Sequence, residues 1–313
     1  MDGSCRSLSS QVKVASIFSL ALSLLLLLGI LRGGATSLAK FVAIHDVPAV
    51  SYAMWQSLTA AVILLIAGYA KTGRFPSFKT AGADYVFCGI VGAALPNVLF
   101  FLAIRNINAG AMAVILTLGP IFTYALLLSL GREGLESRRL AGLALGFTGG
   151  SMIALGNGDS GFSLNVFYLM ALLCPILYAS MSVYVSCRIS SPEHPFLMAG
   201  ATQLVSFLVL LPAGLITHQI HPLWITPDLT DGLILLHGVI GATAYALLFK
   251  IIELAGPVFY SFSSYIIAVT GVIWGIALFG EQLTPKFLMA TLAIFFGLYL
   301  INATTRVSPK RPD

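Results

Sequence analysis

Charge is what this sequence has least of. Only 9% of its 313 residues are charged and 58% are hydrophobic, whereas an ordinary soluble domain carries about 25% charge. One bilayer crossing takes roughly 20 apolar residues, so a chain of this length holds about ten. The acids are the scarcest group. Twelve Asp and Glu residues are present, and all fall in tails, loops or span ends. Proton- and cation-driven pumps keep a carboxylate relay inside the membrane, and this sequence has no candidate for one. Cys5, Cys88, Cys174 and Cys187 are scattered, with no CxxC pair and no His at ligand spacing, so no metal site and no cofactor is expected. GxSxG, HExxH and a paired intramembrane Asp are all lacking, which argues against an integral-membrane enzyme. No basic run with interleaved aromatics marks nucleic-acid binding.

What is there is a series of apolar segments. They predict spans over residues 14–44, 49–70, 85–104, 109–130, 140–155, 164–185, 196–216, 232–251, 258–279 and 287–301. Arg6 and Lys13 ahead of the first run resemble a signal peptide, but the run is long and no A-x-A site follows, so it reads as an uncleaved span. That span is too long for a straight crossing, and Gly33-Gly34 within it predicts a tilt, kink or partly unwound turn. Connections are short and rich in turn residues: Asp46-Val47-Pro48, Gly156-Asn157-Gly158-Asp159 and Ser190-Ser191-Pro192. The longest, residues 218–231, carries Pro222, Trp224 and Pro227 and suits an interfacial loop.

Orientation follows from the bases. With the N-terminus inside, the inner segments hold Arg6 and Lys13; Lys71, Arg74 and Lys79; Arg132, Arg138 and Arg139; Arg188; Lys250; and Arg306, Lys310 and Arg311. The outer connections hold only Arg105 and Lys286. The positive-inside rule therefore places both termini in the cytoplasm of a multi-pass inner-membrane protein. Five crossings in the first half mean that the second half begins from the opposite side.

The two halves echo one another. Gly110 to Pro120 opens an apolar span that closes on Gly131-Arg132-Glu133-Gly134-Leu135. Gly256-Pro257-Val258-Phe259 opens one that closes on Gly280-Glu281-Gln282-Leu283-Thr284-Pro285. This pattern, over residues 29–44, 101–155 and 247–301, resembles the EamA family of the drug/metabolite transporter superfamily. The resemblance implies an all-α integral membrane fold of about ten transmembrane helices in two inverted five-helix repeats, here residues 14–157 and 158–303 between tails 1–13 and 304–313. It also implies alternating access at a central cavity between the repeats, and export of amino acids, other metabolites or drugs. The first corner departs from the family pattern by the inserted Arg132. The family's frequent mid-helix proline is Pro120 here, with Ala268 in its place in the second half. The Arg common in the second span is replaced by Trp55-Gln56.

Candidate binding residues are those that a hydrocarbon interior would otherwise reject. Arg32 lies mid-span beside Gly33-Gly34. A cation there is costly and marks function by default, since its guanidinium can fork onto a carboxylate or phosphate. Alternatively it pairs with carbonyls freed by a Gly-Gly kink, or snorkels. Trp55, Gln56, Asn97, Tyr178 and Tyr265 suit an apolar cavity with a few placed polar groups. Lys40 falls nearer the outer surface, and His237 is a lone span histidine. Gly33, Gly34, Pro120, Glu133 and Glu281 are expected to gate or to pin helix corners. The expected partners are a small-molecule solute and the lipid bilayer, in a monomer or homodimer. A multidrug exporter is the nearest alternative, although the missing buried acids and the presence of Arg32 argue against a cationic substrate.

Overall fold

A computed structural model describes residues 2–154, 165–188, 194–223, 228–261 and 263–302. The predicted loops at 156–159 and 190–192, Trp224, Pro227, the 157/158 and 303/304 boundaries, and Arg306, Lys310 and Arg311 lie outside the described residues. So do the side chains of Arg6, Lys13, Arg188, Glu253 and Ser261.

Among the described residues the chain forms ten helical spans. They are α1 (Asp2–Ile44), α2 (Ala49–Thr72), α3 (Phe78–Ile104), α4 (Ala109–Ser129), α5 (Ser137–Ala154), α6 (Val166–Arg188), α7 (Pro195–Ile216), α8 (Leu229–Ser261), α9 (Ser263–Phe279) and α10 (Pro285–Asn302). Seven stretches within them are long and apolar enough to cross a membrane, and α9 and α10 supply shorter apolar ones. Leu22, Leu26, Ile30, Ile66, Ile273 and Leu292 point outward from their helices. That is the face a lipid-embedded bundle presents, because helices satisfy their own backbone groups.

Helices of one half pack on the equivalent helices of the other. α2 lies against α7, α4 against α9 and α5 against α10. α1 sits in the second half against α8 and α9, and α6 sits in the first half against α3 and α4. The paired helices run antiparallel: Gly68 meets Leu197 while Gly200 meets Leu65, and Gly110 meets Val272 while Gly271 meets Ala113. Matching contacts in opposite directions are the mark of two inverted five-helix repeats.

Small residues set the closest crossings, as bilayer packing favours. A Cβ on Gly33 would lie 2.7 Å from the Gly271 nitrogen, and one on Gly297 would lie 2.6 Å from the Gly142 carbonyl oxygen. Thr270 Oγ1 adds a 2.8 Å hydrogen bond to the Gly29 carbonyl across the α1–α9 crossing. The two repeat corners turn alike, with Gly131 and Gly280 both in the left-handed region (φ 65° and 63°).

Three expectations from the sequence change. α1 runs unbroken through Gly33-Gly34, so no turn is unwound there, and both glycines face α9. α8 continues to Ser261 instead of stopping near Ile251, so Gly256-Pro257 does not end the helix; neighbouring helices in a membrane bundle tolerate such residues. α3 begins at Phe78, earlier than its apolar run. α4 does break: Thr117 and Leu118 form a turn between Ala109–Leu116 and Gly119–Ser129, and Pro120 occupies the first turn of the second piece, where its missing N–H is harmless.

Contacts between connections define two ends. Asp46, Arg105, His221 and Glu281 gather at one, here the Asp46 end. Asp84, Tyr184, Gly134 and Arg139 mark the other, the Arg74 end. The main core fills the Asp46 end and continues along α4, α5 and α10. Towards the Arg74 end the remaining apolar packing divides into three small clusters: α1 with α8 and α9, α2 with α7 and α8, and α3 with α7.

Candidate functional site

Arg32 stands out by its position on α1. Ala21, Leu25, Leu28, Ala35, Ala39 and Val42 form the buried stripe at helical spacing, none more than 7% exposed. Arg32 falls in the middle of that stripe, four residues after Leu28 and three before Ala35, yet it is exposed. A long side chain at the centre of an inward face can be exposed only to an internal space. Among the described residues it makes no hydrogen bond or ion pair. α1 meets α3 and α4 of its own repeat as well as α8 and α9 of the other, so the space before Arg32 lies between the repeats.

A chain of neutral polar groups links the two repeats. Asn97 Nδ2 donates to Gln56 Oε1 at 3.1 Å, and the Tyr178 hydroxyl donates to Asn97 Oδ1 at 3.0 Å. These three residues come from α2, α3 and α6, and thus from both repeats. Local backbone irregularity aims Asn97. Residues Ile90–Ala94 form a π-helical turn in which the Leu95 N–H reaches the Ile90 carbonyl, and Pro96 follows; such a turn rotates everything beyond it and recurs at functional sites. Gly241 of α8 leaves Gln56 Nε2 room, 3.6 Å from where a Cβ would stand. Beside the chain, the Tyr52 hydroxyl and His237 Nδ1 are 2.9 Å apart, and Tyr52 stacks on Phe101 with ring centroids 3.8 Å apart.

The Asp46 end is sealed above this cluster. Glu281, 8% exposed, accepts from Lys40 Nζ at 2.8 Å, from the Ala109 N–H at 2.6 Å and from the Gly110 N–H at 3.0 Å. A carboxylate there satisfies two orphan amides of α4 and the positive end of its dipole. It thereby ties the α9–α10 corner of the second repeat to α1 and α4 of the first. The pocket beside it, lined by Asn108, Tyr168 and Lys286, measures ≈ 30 Å³, which is room for a water and not for a solute. Trp55 Nε1 donates to the His221 carbonyl at 2.8 Å, and the His221 N–H donates to Ser51 Oγ at 2.9 Å, which closes the α2–α7–α8 side. At the Arg74 end the corresponding corner residue, Glu133, is 40% exposed and pairs with Arg139 of its own repeat at 2.9 Å.

The six candidate binding residues therefore separate. Gln56, Asn97 and Tyr178 are joined in one chain, and Arg32 lies on α1, which packs against α3. Trp55 belongs to the closed end through His221. Tyr265 packs on Phe295 of α10, ring centroids 5.3 Å apart, among the main core. Gly33 and Gly34 face Thr270 and Trp274 of α9. The Tyr52–His237 pair carries no spacing signal in the sequence, because it joins helices of different repeats 185 residues apart. A crevice of ≈ 330 Å³ between α4, α5 and α6 is lined by Leu118, Phe122, Phe147 and Leu172, with Ser151 its one polar side chain.

Comparison with known proteins gives a consistent picture. The EamA-like transporter family matches residues 19–155 and 165–303, each half once. Two curated proteins of Bacillus subtilis (strain 168) are similar: "Uncharacterized transporter YyaM", 27% identical over 127 residues covering 40% of this chain and 42% of that protein, and "Uncharacterized transporter YdfC", 25% identical over 163 residues covering 51% and 52%. The matched segments thus span about half the length of these relatives. A solved crystal structure of a protein superposes over 91% of this chain and 96% of its own, with a TM-score of 0.60 at 18% identity, which establishes likeness of fold. With both repeats matched and the inverted packing in place, this multi-pass membrane chain belongs to the EamA-like transporter family.

Proposed function

We propose that this protein is a secondary transporter that carries a small polar metabolite across the inner membrane by alternating access. Solute binds in the space bounded by Arg32, Gln56, Asn97 and Tyr178. Rocking of the two repeats exposes that space first to one end and then to the other. The observation that carries the reading is an exposed guanidinium at the centre of a buried stripe, together with a chain of polar groups drawn from both repeats. The sealed Asp46 end and the divided packing towards the Arg74 end support an arrangement open at the Arg74 end. Lys71, Arg74, Lys79, Arg138 and Arg139 make that end the cytoplasmic one. Outward transport follows from the family resemblance.

Counterflow of radiolabelled solutes into preloaded proteoliposomes tests the reading. Accumulation of at least one metabolite class above protein-free liposomes, abolished in Asn97→Leu protein of equal abundance, is the expected result. No accumulation with any class of solute would overturn it. A reporter fused after Asp313 and active only outside the cell would overturn the orientation.

A further inference from the structure

We infer that the solute is a net organic anion, held through its carboxylate by Arg32, rather than a zwitterionic amino acid or a cation. This rests on the transport reading above and names the substrate class of the same site. The argument is one of charge matching. The polar groups clustered between the repeats are Tyr52 and Gln56 of α2, Asn97 of α3, Tyr178 of α6 and His237 of α8. None is a carboxylate.

The acidic side chains among the described residues are all at the two ends, and each has a partner already. Asp46 pairs with Arg105, Asp231 with His221, Glu281 with Lys40, and Glu133 and Glu136 with Arg139. Asp84 accepts from the Tyr184 hydroxyl, and Asp228 from the Asp231 N–H. Glu253, whose side chain lies outside the described residues, is on α8 beyond Ile251. Ile251 packs with Leu25 and Leu28, already on the Arg74 side of Arg32.

The backbone offers no substitute. α1 is unbroken past Gly33, so no carbonyl is released there. The Gly33 carbonyl accepts a further bond from Thr36 Oγ1, and the Gly29 carbonyl from Thr270 Oγ1. An uncompensated guanidinium in a space walled by neutral groups selects for a ligand that brings the missing charge, and a carboxylate matches its planar fork. An ammonium on the same ligand would find only neutral acceptors, of which Gln56 Oε1 and Asn97 Oδ1 each already take a bond, and would stay near a like charge. A hydroxyl or keto oxygen beside the carboxylate suits that chain, because amide and phenol groups both donate and accept.

The test uses purified full-length protein and its thermal stabilisation by matched short-chain solutes. The set comprises 2-hydroxy acids of three to six carbons, the amino acids and primary amines of the same skeletons, and chloride and phosphate alone. The 2-hydroxy acids should stabilise at concentrations about tenfold or more below the matching amino acids. Arg32→Gln should weaken that response about 10- to 150-fold, the range for a hydrogen bond to a charged group, and Arg32→Lys should fall between. Unliganded Arg32→Gln should be no less stable than the parent.

Equal or better stabilisation by amino acids or amines would overturn the inference. So would saturation by chloride or phosphate alone, no response to any of the acids, or an unchanged response in both Arg32 variants. Counterflow of amino acids that ignores Arg32 would sink this inference and leave the transport reading standing. Absence of counterflow for every class would sink the transport reading itself.

Discussion

Glu281 gives the most quantitative handle on how the two repeats are held together. Its carboxylate receives three donors at 2.6–3.0 Å while almost fully buried, and Lys40 beside it is 14% exposed. Glu281→Ala strips a cap from α4, about 0.5–2 kcal/mol, and strands a buried cation, for which breaking a buried pair costs about 3–5 kcal/mol. The two penalties share a cause and do not add, so a total of about 3–5 kcal/mol is expected. Glu281→Gln keeps one acceptor for the α4 amides and loses the charge, placing it at about 1.5–3 kcal/mol. Lys40→Met should be mildest, since Glu281 keeps both backbone donors and the helix dipole, and the methionine stem fills the place beside Phe279 where the Lys40 ammonium now lies 5.1 Å from the ring centroid. Thermal unfolding of the three variants in one detergent should rank Lys40→Met above Glu281→Gln above Glu281→Ala. A Lys40→Met protein as unstable as Glu281→Ala would refute the reasoning, because it would mean that the cation and not the α4 cap holds the corner.

Three further outcomes are expected. Gly33→Ala places a methyl group against the Gly271 backbone and should destabilise by about 1–3 kcal/mol as an overpacked contact, whereas Gly34→Ala, 3.2 Å from the Trp274 indole nitrogen, should be near neutral; melting temperatures decide. Asn97→Ala removes the central member of the Gln56–Asn97–Tyr178 chain and should weaken solute binding about tenfold, at about 1–3 kcal/mol for the orphaned groups, with little loss of expression; saturation binding measures it. Asp228 begins α8, and its carboxylate is held below its ordinary pKa, first by the Asp231 backbone N–H. A lowered folded-state pKa stabilises above the unfolded value and is lost as pH falls through the folded one. Protection of the first turn of α8 in hydrogen exchange should therefore be complete at neutral pH, fade only below about pH 4, and be absent at all pH values in Asp228→Ala.

The fold was legible because hydropathy survives any rearrangement of helix contacts. Ten apolar runs and the corner glycines 131 and 280 are local signals. The errors also have local causes. Gly33-Gly34 carries no mark to distinguish an unwound turn from a close crossing, and the facing Gly271 makes it the latter. Gly256-Pro257 has the composition of a helix stop but sits in a bundle where it need not act as one. The site was readable as a set of residue types and not as an arrangement. Gln56, Asn97 and Tyr178 are 41 and 81 residues apart in sequence, and Lys40 and Glu281 are 241 apart. No spacing rule pairs them, because the inverted packing that brings them together is a property of whole helices.

The central claim is that the space between the repeats is reached from one end at a time. Its most direct test is a single cysteine at position 97 in a background lacking Cys5, Cys88, Cys174 and Cys187, in sealed vesicles of each orientation. A membrane-impermeant thiol reagent should label Asn97→Cys rapidly from the Arg74 side and slowly from the Asp46 side, and adding Glu281→Gln should raise labelling from the Asp46 side. Equal labelling from both sides in the parent, or none from either, would contradict the account.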